Sequence, residues 1–233
     1  MNISNPWHAL YLESLGEAGG PIPPAMALAL AANFGSVDHW RDEFRALGAA
    51  WDGGASALLL CFEPNEGRLR HVVAGPPPSG VPVLALDMQA HADRMGGDSS
   101  GAACATAFIG EIAWPAVYER YRHAVHAASE PLAASREQLH GALLLDVRRA
   151  GVFEQAAAMI PGAAWRDPAK VGEWADELPS DRELVVYCVY GHEVGRSTAL
   201  QLHSRGLRAR FLEGGIDGWQ AAGQPLQPKG EVS

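Results

Sequence analysis

The rhythm of hydrophobic and polar positions changes once along the chain. Residues 24–34, an Ala- and Leu-rich run opened by Pro24, predict a helix that Gly35 stops. Ser36 is set to cap a second helix, whose Trp40, Phe44 and Leu47 share one face at i, i+4 and i+7 spacing. An apolar run from Ala57 to Phe62, the turn residues Asn65-Glu66-Gly67 and the run Leu69 to Ala74 read as a β-hairpin. A loop, Gly75-Pro76-Pro77-Pro78-Ser79-Gly80, precedes a third strand from Val81 to Leu86 that ends at Asp87. Two further helices are predicted over 98–112 and 115–127, the second with Pro115 near its first turn.

Residues 128–135 (Ala-Ser-Glu-Pro-Leu-Ala-Ala-Ser) are small and polar with one proline, and are expected to be a linker. Beyond them short apolar strands (Ala142–Leu145, Glu183–Cys188, Ala209–Leu212) alternate with helical patterns over 168–177 and 194–205. That alternation is the βαβ rhythm of a parallel sheet covered on both faces by helices. The expected fold is therefore two domains. Residues 1–127 form an α+β unit, helices plus a three-stranded antiparallel sheet, and 136–233 form an α/β unit. No internal repeat or low-complexity segment interrupts either one.

Composition adds exclusions. The 233 residues are 48% hydrophobic and 19% charged, a soluble globular balance long enough for two cores. The net charge is −9, with 7 basic against 14 acidic residues before position 134 and 11 against 13 after it. Neither half is basic, so nucleic acid and anionic membrane are not expected partners. No apolar run approaches the ~20 residues of a membrane span. The start, Met-Asn-Ile-Ser-Asn-Pro-Trp, lacks the layout of a signal peptide. Cys61, Cys104 and Cys188, odd in number and widely spaced, make no disulfide framework, and a cytoplasmic location is expected.

The candidate chemistry begins at Cys188. It ends the strand Glu183–Tyr187, and Val189-Tyr190-Gly191-His192-Glu193-Val194-Gly195-Arg196 then leads into a helix. Ligands of open parallel sheets bind at the carboxyl ends of strands. A tight loop there turns backbone N–H groups inward, and the next helix points its positive end at the same place, which stabilises a thiolate and can hold an anion. A free cysteine is more often a small buried hydrophobe. That reading is kept for Cys61, mid-strand, and for Cys104, in a small-residue helix. The strand end, the glycine-bearing loop and the helix start argue against it at Cys188.

Residues 136–226 then resemble the rhodanese family. Leu145-Asp146-Val147-Arg148 is similar to its first-strand Asp-Val-Arg, and Ile160-Pro161-Gly162-Ala163 to its Ile-Pro-Gly-Ala turn. Leu212-Glu213-Gly214-Gly215-Ile216-Asp217-Gly218-Trp219 with Ala222-Gly223-Gln224-Pro225 is similar to its closing motif. The resemblance implies sulfur transfer. Cys188 would take a sulfane sulfur from a small-molecule or thiol-borne donor, become a persulfide, and yield it to a thiol acceptor or cyanide, with Asp146 and Arg148 in support. The family loop Cys-x-x-Gly-x-Arg-Ser keeps its glycine as Gly191, but its arginine is absent, with Glu193 and Val194 where it should fall. Arg196 is expected to reach back only from the helix's first turn. The loop also resembles that of the dual-specificity cell-cycle phosphatases, but Val194 replaces the arginine that grips their phosphate. His192 is placed to assist proton transfer or to meet an anion, or it is an exposed loop residue without a role.

Asp87-Met88-Gln89-Ala90-His91 sets a carboxylate and an imidazole four residues apart after a strand, a spacing that lets both reach one metal. Residues 1–127 resemble the C-terminal part of the iron/manganese superoxide dismutases. The residues that carry this are Phe34-Gly35-Ser36, Leu86-Asp87 with His91, Ile112-Ala113-Trp114-Pro115 followed by Tyr118-Glu119-Arg120-Tyr121, and His8-Ala9-Leu10-Tyr11-Leu12-Glu13-Ser14-Leu15. The resemblance implies iron or manganese held by His8, Asp87 and His91. The family's fourth ligand and its gating tyrosine belong to an N-terminal hairpin that precedes this sequence. Pro76-Pro77-Pro78 and Ser4 occupy the stretches that might supply the family's solvent-binding glutamine. Ser56 and Leu58 stand for tryptophans, Ala90 for a bridging glutamate, and Asp93 and Arg94 for tyrosines. Such outer groups tune a metal centre, so rapid dismutation is not expected.

Three functions follow. The first is a rhodanese-type sulfurtransferase with a partly degenerate metal-binding front domain. The second is a metal-dependent superoxide dismutase with a regulatory rhodanese appendage. The third is a non-catalytic stress-response binding module. A homodimer through the front domain is possible on the resemblance, although residues 90, 93 and 94 argue against assuming it.

Overall fold

The computed structural model describes residues 6–16, 20–52, 57–74, 78–97 and 99–229. Ser4, Ser56, Gly75, Pro76 and Pro77, named above, lie outside the described residues. The chain divides into two compact units, residues 1–63 with 69–123, and 64–68 with 124–233.

The first unit begins with α1 (His8–Ser14), α2 (Pro24–Phe34) and α3 (Val37–Ala49). Ser36 caps α3 as its sequence predicts, its Oγ accepting from the His39 N–H at 2.9 Å. Strands β1 (Ala57–Glu63), β2 (Arg68–Ala74) and β3 (Val81–Asp87) form an antiparallel sheet in the order β2-β1-β3. Every residue of β1 is buried, which explains its unbroken apolar run. After β3 come α4 (Met88–Arg94), α5 (Gly101–Glu111) and α6 (Trp114–Ser129). The face predicted for α3 is the one it buries, with Trp40 and Phe44 fully covered and Phe44 stacked on Phe108 of α5.

The second unit takes in the last turns of α6 and continues through β4 (Ala133–Ala134), β5 (Leu143–Asp146), α7 (Ala150–Gln155), β6 (Ala158–Met159), β7 (Ala164–Trp165) and α8 (Val171–Trp174). It closes with β8 (Glu183–Tyr187), α9 (Glu193–Ser204), β9 (Arg208–Leu212), α10 (Gly215–Ala221) and β10 (Gln227–Pro228). Five strands form a parallel sheet in the order β4-β9-β8-β5-β7. Both of its faces are buried. Leu184 and Val186 of β8 pack with Trp174, Ala199 and Phe211 on one side, and Val185 and Tyr187 pack with Ile160, Leu212 and Ile216 on the other.

Two stretches differ from expectation. Residues 128–135 are folded: α6 runs to Ser129, a 3-10 turn covers Glu130–Leu132, and Ala133 and Ala134 pair in parallel with Phe211 and Leu212. A small side chain suits a strand at a crowded sheet edge as well as it suits a linker, so composition misread them. The helix expected over 168–177 is broken into a 3-10 turn, the four residues of α8 and a second 3-10 turn. Among the described residues no helix is long and apolar enough to cross a membrane.

Candidate functional site

Cys188 follows the last residue of β8, the central strand of the parallel sheet, at its carboxyl end. The loop to α9 is short and is folded back by Gly191 at φ +69°, in the left-handed region. Its fold turns the backbone N–H groups of Tyr190, Gly191, His192 and Gly195 toward the sulfur, where they lower the pKa of the thiol. Such a concave run of amides, continued by the amino end of a twelve-residue helix, is a nest for negative charge. The thiol in turn leans on the His192 carbonyl at 3.9 Å.

A second loop supports the first. Gly214 and Gly215 both have positive φ, and a Cβ on Gly215 would stand 2.5 Å from the carbonyl oxygens of Cys188 and Val189. With no side chain there, the Ile216 N–H donates to the Cys188 carbonyl at 3.0 Å and the Asp217 N–H to the Val189 carbonyl at 2.9 Å. The paired glycines were read from sequence only as a family motif. Their work is to let α10 close on the backbone that carries the cysteine.

Cys188 is buried, with 5% of its surface exposed. Burial pushes the Cys188 thiol above the ordinary cysteine range, and the four amides oppose that shift without cancelling it. Cys188 thus favours the thiol form more than an ordinary cysteine does, and the amides moderate that preference.

Each remaining loop residue has a definite setting. Val189 is half-buried and Tyr190 is 56% exposed, its ring 5.6 Å from that of His192. His192 is exposed, and its other ring neighbour is His126 at 6.2 Å. Glu193 is buried at the first position of α9, where a carboxylate suits the helix but adds negative charge beside the nest. Val194 is half-buried and makes no claim on an anion. Gly195 lies against the sulfur, so that a Cβ on it would sit 3.3 Å from Sγ. Arg196 reaches back from the first turn of α9: its Nε donates to the Gly191 carbonyl at 2.9 Å, its Nη1 donates to Ser129 Oγ at 3.2 Å, and its guanidinium lies 4.2 Å over the Phe211 ring.

Asp146 and Arg148 brace the sheet one strand away. Asp146 ends β5 in register with Tyr187, and Arg148 Nε donates to both its carboxylate oxygens at 2.9 Å. Tyr187 donates its hydroxyl to Asp146 at 3.1 Å and accepts the Ile160 N–H at 3.1 Å. Burial, then the adjacent Asp146 carboxylate, holds the Tyr187 phenol well above its usual range. Tyr187 was missed in the sequence. Its signal was available, because the residue before the cysteine sits beside Asp146 whenever the two strands are neighbours in register.

In the front unit, Asp87 ends β3 and caps α4, its Oδ1 accepting from the Ala90 N–H at 3.2 Å. Its Oδ2 accepts from His8 Nδ1 on α1 at 3.0 Å. His91, fully buried on α4, is hydrogen-bonded through Nδ1 to the Tyr11 hydroxyl at 3.0 Å, and its Nε2 has no hydrogen-bond partner among the described residues. Burial depresses the pKa of His91, so the imidazole stays neutral. The structure therefore joins His8 with Asp87 and ties His91 to Tyr11, a residue sequence reasoning passed over. Among the described residues, no three His, Cys, Asp or Glu side chains gather as one metal site would require.

Residues 128–222 match the family model of the rhodanese-like domain. The N-terminal half is similar to curated superoxide dismutases. An iron superoxide dismutase of Cupriavidus metallidurans is 39% identical over 126 residues, covering 51% of this chain and 61% of that protein. Superoxide dismutase [Mn] 1 of Halobacterium salinarum is 32% identical over 123 residues, covering 50% of this chain and 60% of its own length. The chain thus spans about three fifths of the length of these two relatives. Among solved structures, a rhodanese-related protein from Thermoplasma volcanium is 24% identical, over 41% of this chain and 96% of that one, with a TM-score of 0.35.

Proposed function

Given that the chain joins a superoxide dismutase-like domain to a rhodanese-like domain, we propose that it is a sulfurtransferase carrying sulfane sulfur as a persulfide on Cys188. The observation that carries this reading is the place of Cys188 at the carboxyl end of β8, under a loop folded back by Gly191 at φ +69° with Gly195 against the sulfur. A persulfide has the shape for that nest: its inner sulfur stays at the strand end and its outer sulfur meets the amides. The Cys188 thiolate attacks the outer sulfur of a donor R–S–SH. The donor S–S bond breaks, its electron pair leaves on R–S⁻, and Cys188–S–SH forms. An acceptor thiolate then attacks the outer sulfur, and Cys188 departs as the thiolate. No net oxidation occurs in either step. Cys61 and Cys104 are both buried, so the acceptor in this reading is an external thiol.

The donor class follows from charge. Thiosulfate is a dianion, and the loop offers amide dipoles with a buried Glu193 beside them, while its one arginine serves the backbone. A thiol-borne persulfide, neutral or singly charged, meets less repulsion. The expected result is sulfur release to a thiol acceptor from a low-molecular-weight persulfide at a rate at least equal to that from thiosulfate, and none from the Cys188→Ser chain. Equal transfer by Cys188→Ser would end the proposal. A reducing cytoplasm suits three free thiols.

A second reading concerns the front domain. The names of its relatives carry iron and manganese, and the buried Nε2 of His91 is the kind of orphaned donor a metal would take. The described side chains do not make up a full ligand set, so no step of the sulfur chemistry is routed through a metal. In this reading iron or manganese, when bound, would supply one-electron chemistry, with His8, Asp87 and His91 as its holders.

A further inference from the structure

The one basic side chain of the loop faces the backbone. We propose that Arg196 is a positioning residue for the Cys188 nucleophile: by holding the Gly191 carbonyl it aims the N–H of the same peptide, that of His192, at the sulfur. This inference rests on Cys188 being the reactive residue.

The geometry is specific. Arg196 Nε donates to the Gly191 carbonyl oxygen at 2.9 Å. The chain has no cis peptide among its described residues, so in the Gly191–His192 peptide the C=O and N–H point in opposite directions. A donor that draws the oxygen one way therefore sets the hydrogen the other way, where the His192 N–H meets Cys188. Gly191 occupies the left-handed region at φ +69° and is buried against the backbone of Leu212, Gly214 and Gly215. Arg196 adds a side-chain tie at the carbonyl of this residue.

Arg196 is itself anchored on two further sides. Its Nη1 donates to Ser129 Oγ at 3.2 Å, and Ser129 is fully buried. The guanidinium plane lies 4.2 Å over the Phe211 ring of β9. Glu130 stands at 3.9 Å but is largely exposed, so it adds little. The planar fork thus binds loop, helix end and strand at once, which a lysine cannot do from a single nitrogen. Placed this way, the arginine's hydrogen bonds go to loop and helix end, and its charge also acts on Cys188 through space.

The test is the pH dependence of Cys188 alkylation by iodoacetamide in the full chain, followed by peptide mass. Loss of one aimed amide is expected to move the alkylation midpoint about one pH unit upward, ~10-fold slower at a fixed pH below it. Arg196→Met and Arg196→Lys are both expected to show that shift, since lysine keeps the charge and loses the fork. If the charge alone mattered, Arg196→Lys would alkylate at the wild-type rate, and that result overturns the proposal. Ser129→Ala, a milder change, is expected to slow alkylation several-fold should Arg196→Met not fold; a wild-type rate there counts equally against it. Alkylation does not depend on sulfur transfer. An Arg196 effect in a chain that forms no persulfide would leave the positioning intact and remove the enzymatic reading.

Discussion

Cys188 is pulled in two directions, upward in pKa by burial and downward by four amides, and burial prevails. The pH dependence follows from that balance. The thiol gains reactivity only as it ionises, so persulfide formation should climb about tenfold per pH unit from neutrality until pH passes the raised pKa. Initial rates with a thiol persulfide between pH 6 and pH 10 check this. A plateau already reached at pH 7 would show the thiolate to be the resting form. The cysteine itself was legible in sequence because a strand end, a glycine and a helix start are local patterns. The anchors of Arg196 were not, since Ser129 and Phe211 lie 67 and 15 residues away in the chain and meet it only after folding. Tyr11 was hidden for a similar reason: its partner His91 is 80 residues distant.

At the level of elements, the carboxyl end of the parallel sheet is fastened by one buried ion pair. Asp146 is fully buried and Arg148 is 6% exposed, and a carboxylate shared with the Tyr187 hydroxyl leaves little slack. Removing one partner of such a pair leaves a buried charge unmet. Asp146→Asn should therefore lower the stability of the chain by ~3–5 kcal/mol, read from urea denaturation. A loss below about 1 kcal/mol would mean that water or another acceptor replaces the carboxylate. The long strands that carry the site were legible because their apolar runs are continuous: β1, β3, β5 and β8 each coincide with one. The two-residue strands β4, β6, β7 and β10 were not, since two positions carry no period. Helices α1 and α4, seven residues each, were equally unmarked.

On the scale of the whole molecule, two sites of unequal completeness share one chain. The rhodanese-like unit holds Cys188, the amides that face it and the glycines that close the loop at one sheet end. The front unit holds a His8–Asp87 pair and a separate Tyr11–His91 pair, with the His91 Nε2 left over. On the sulfurtransferase reading the two functions separate cleanly. Metal removal by a chelator should leave the rate of sulfur transfer unchanged, whereas any iron or manganese that elemental analysis finds should fall when His91 is changed to Ala. A transfer rate that falls with the metal would join the two domains in one chemistry. Both family likenesses were legible from ordered motifs. The replacements at 58, 90, 93 and 94 can also be read directly from the sequence.

The most direct measurement is peptide mass mapping of the full chain after incubation with a low-molecular-weight thiol persulfide. One added sulfur on the peptide containing Cys188 is predicted, removable by an acceptor thiol and absent from Cys188→Ser. Sulfur found instead on Cys61 or Cys104, or retained in Cys188→Ser, would contradict the assignment of Cys188 as the carrier.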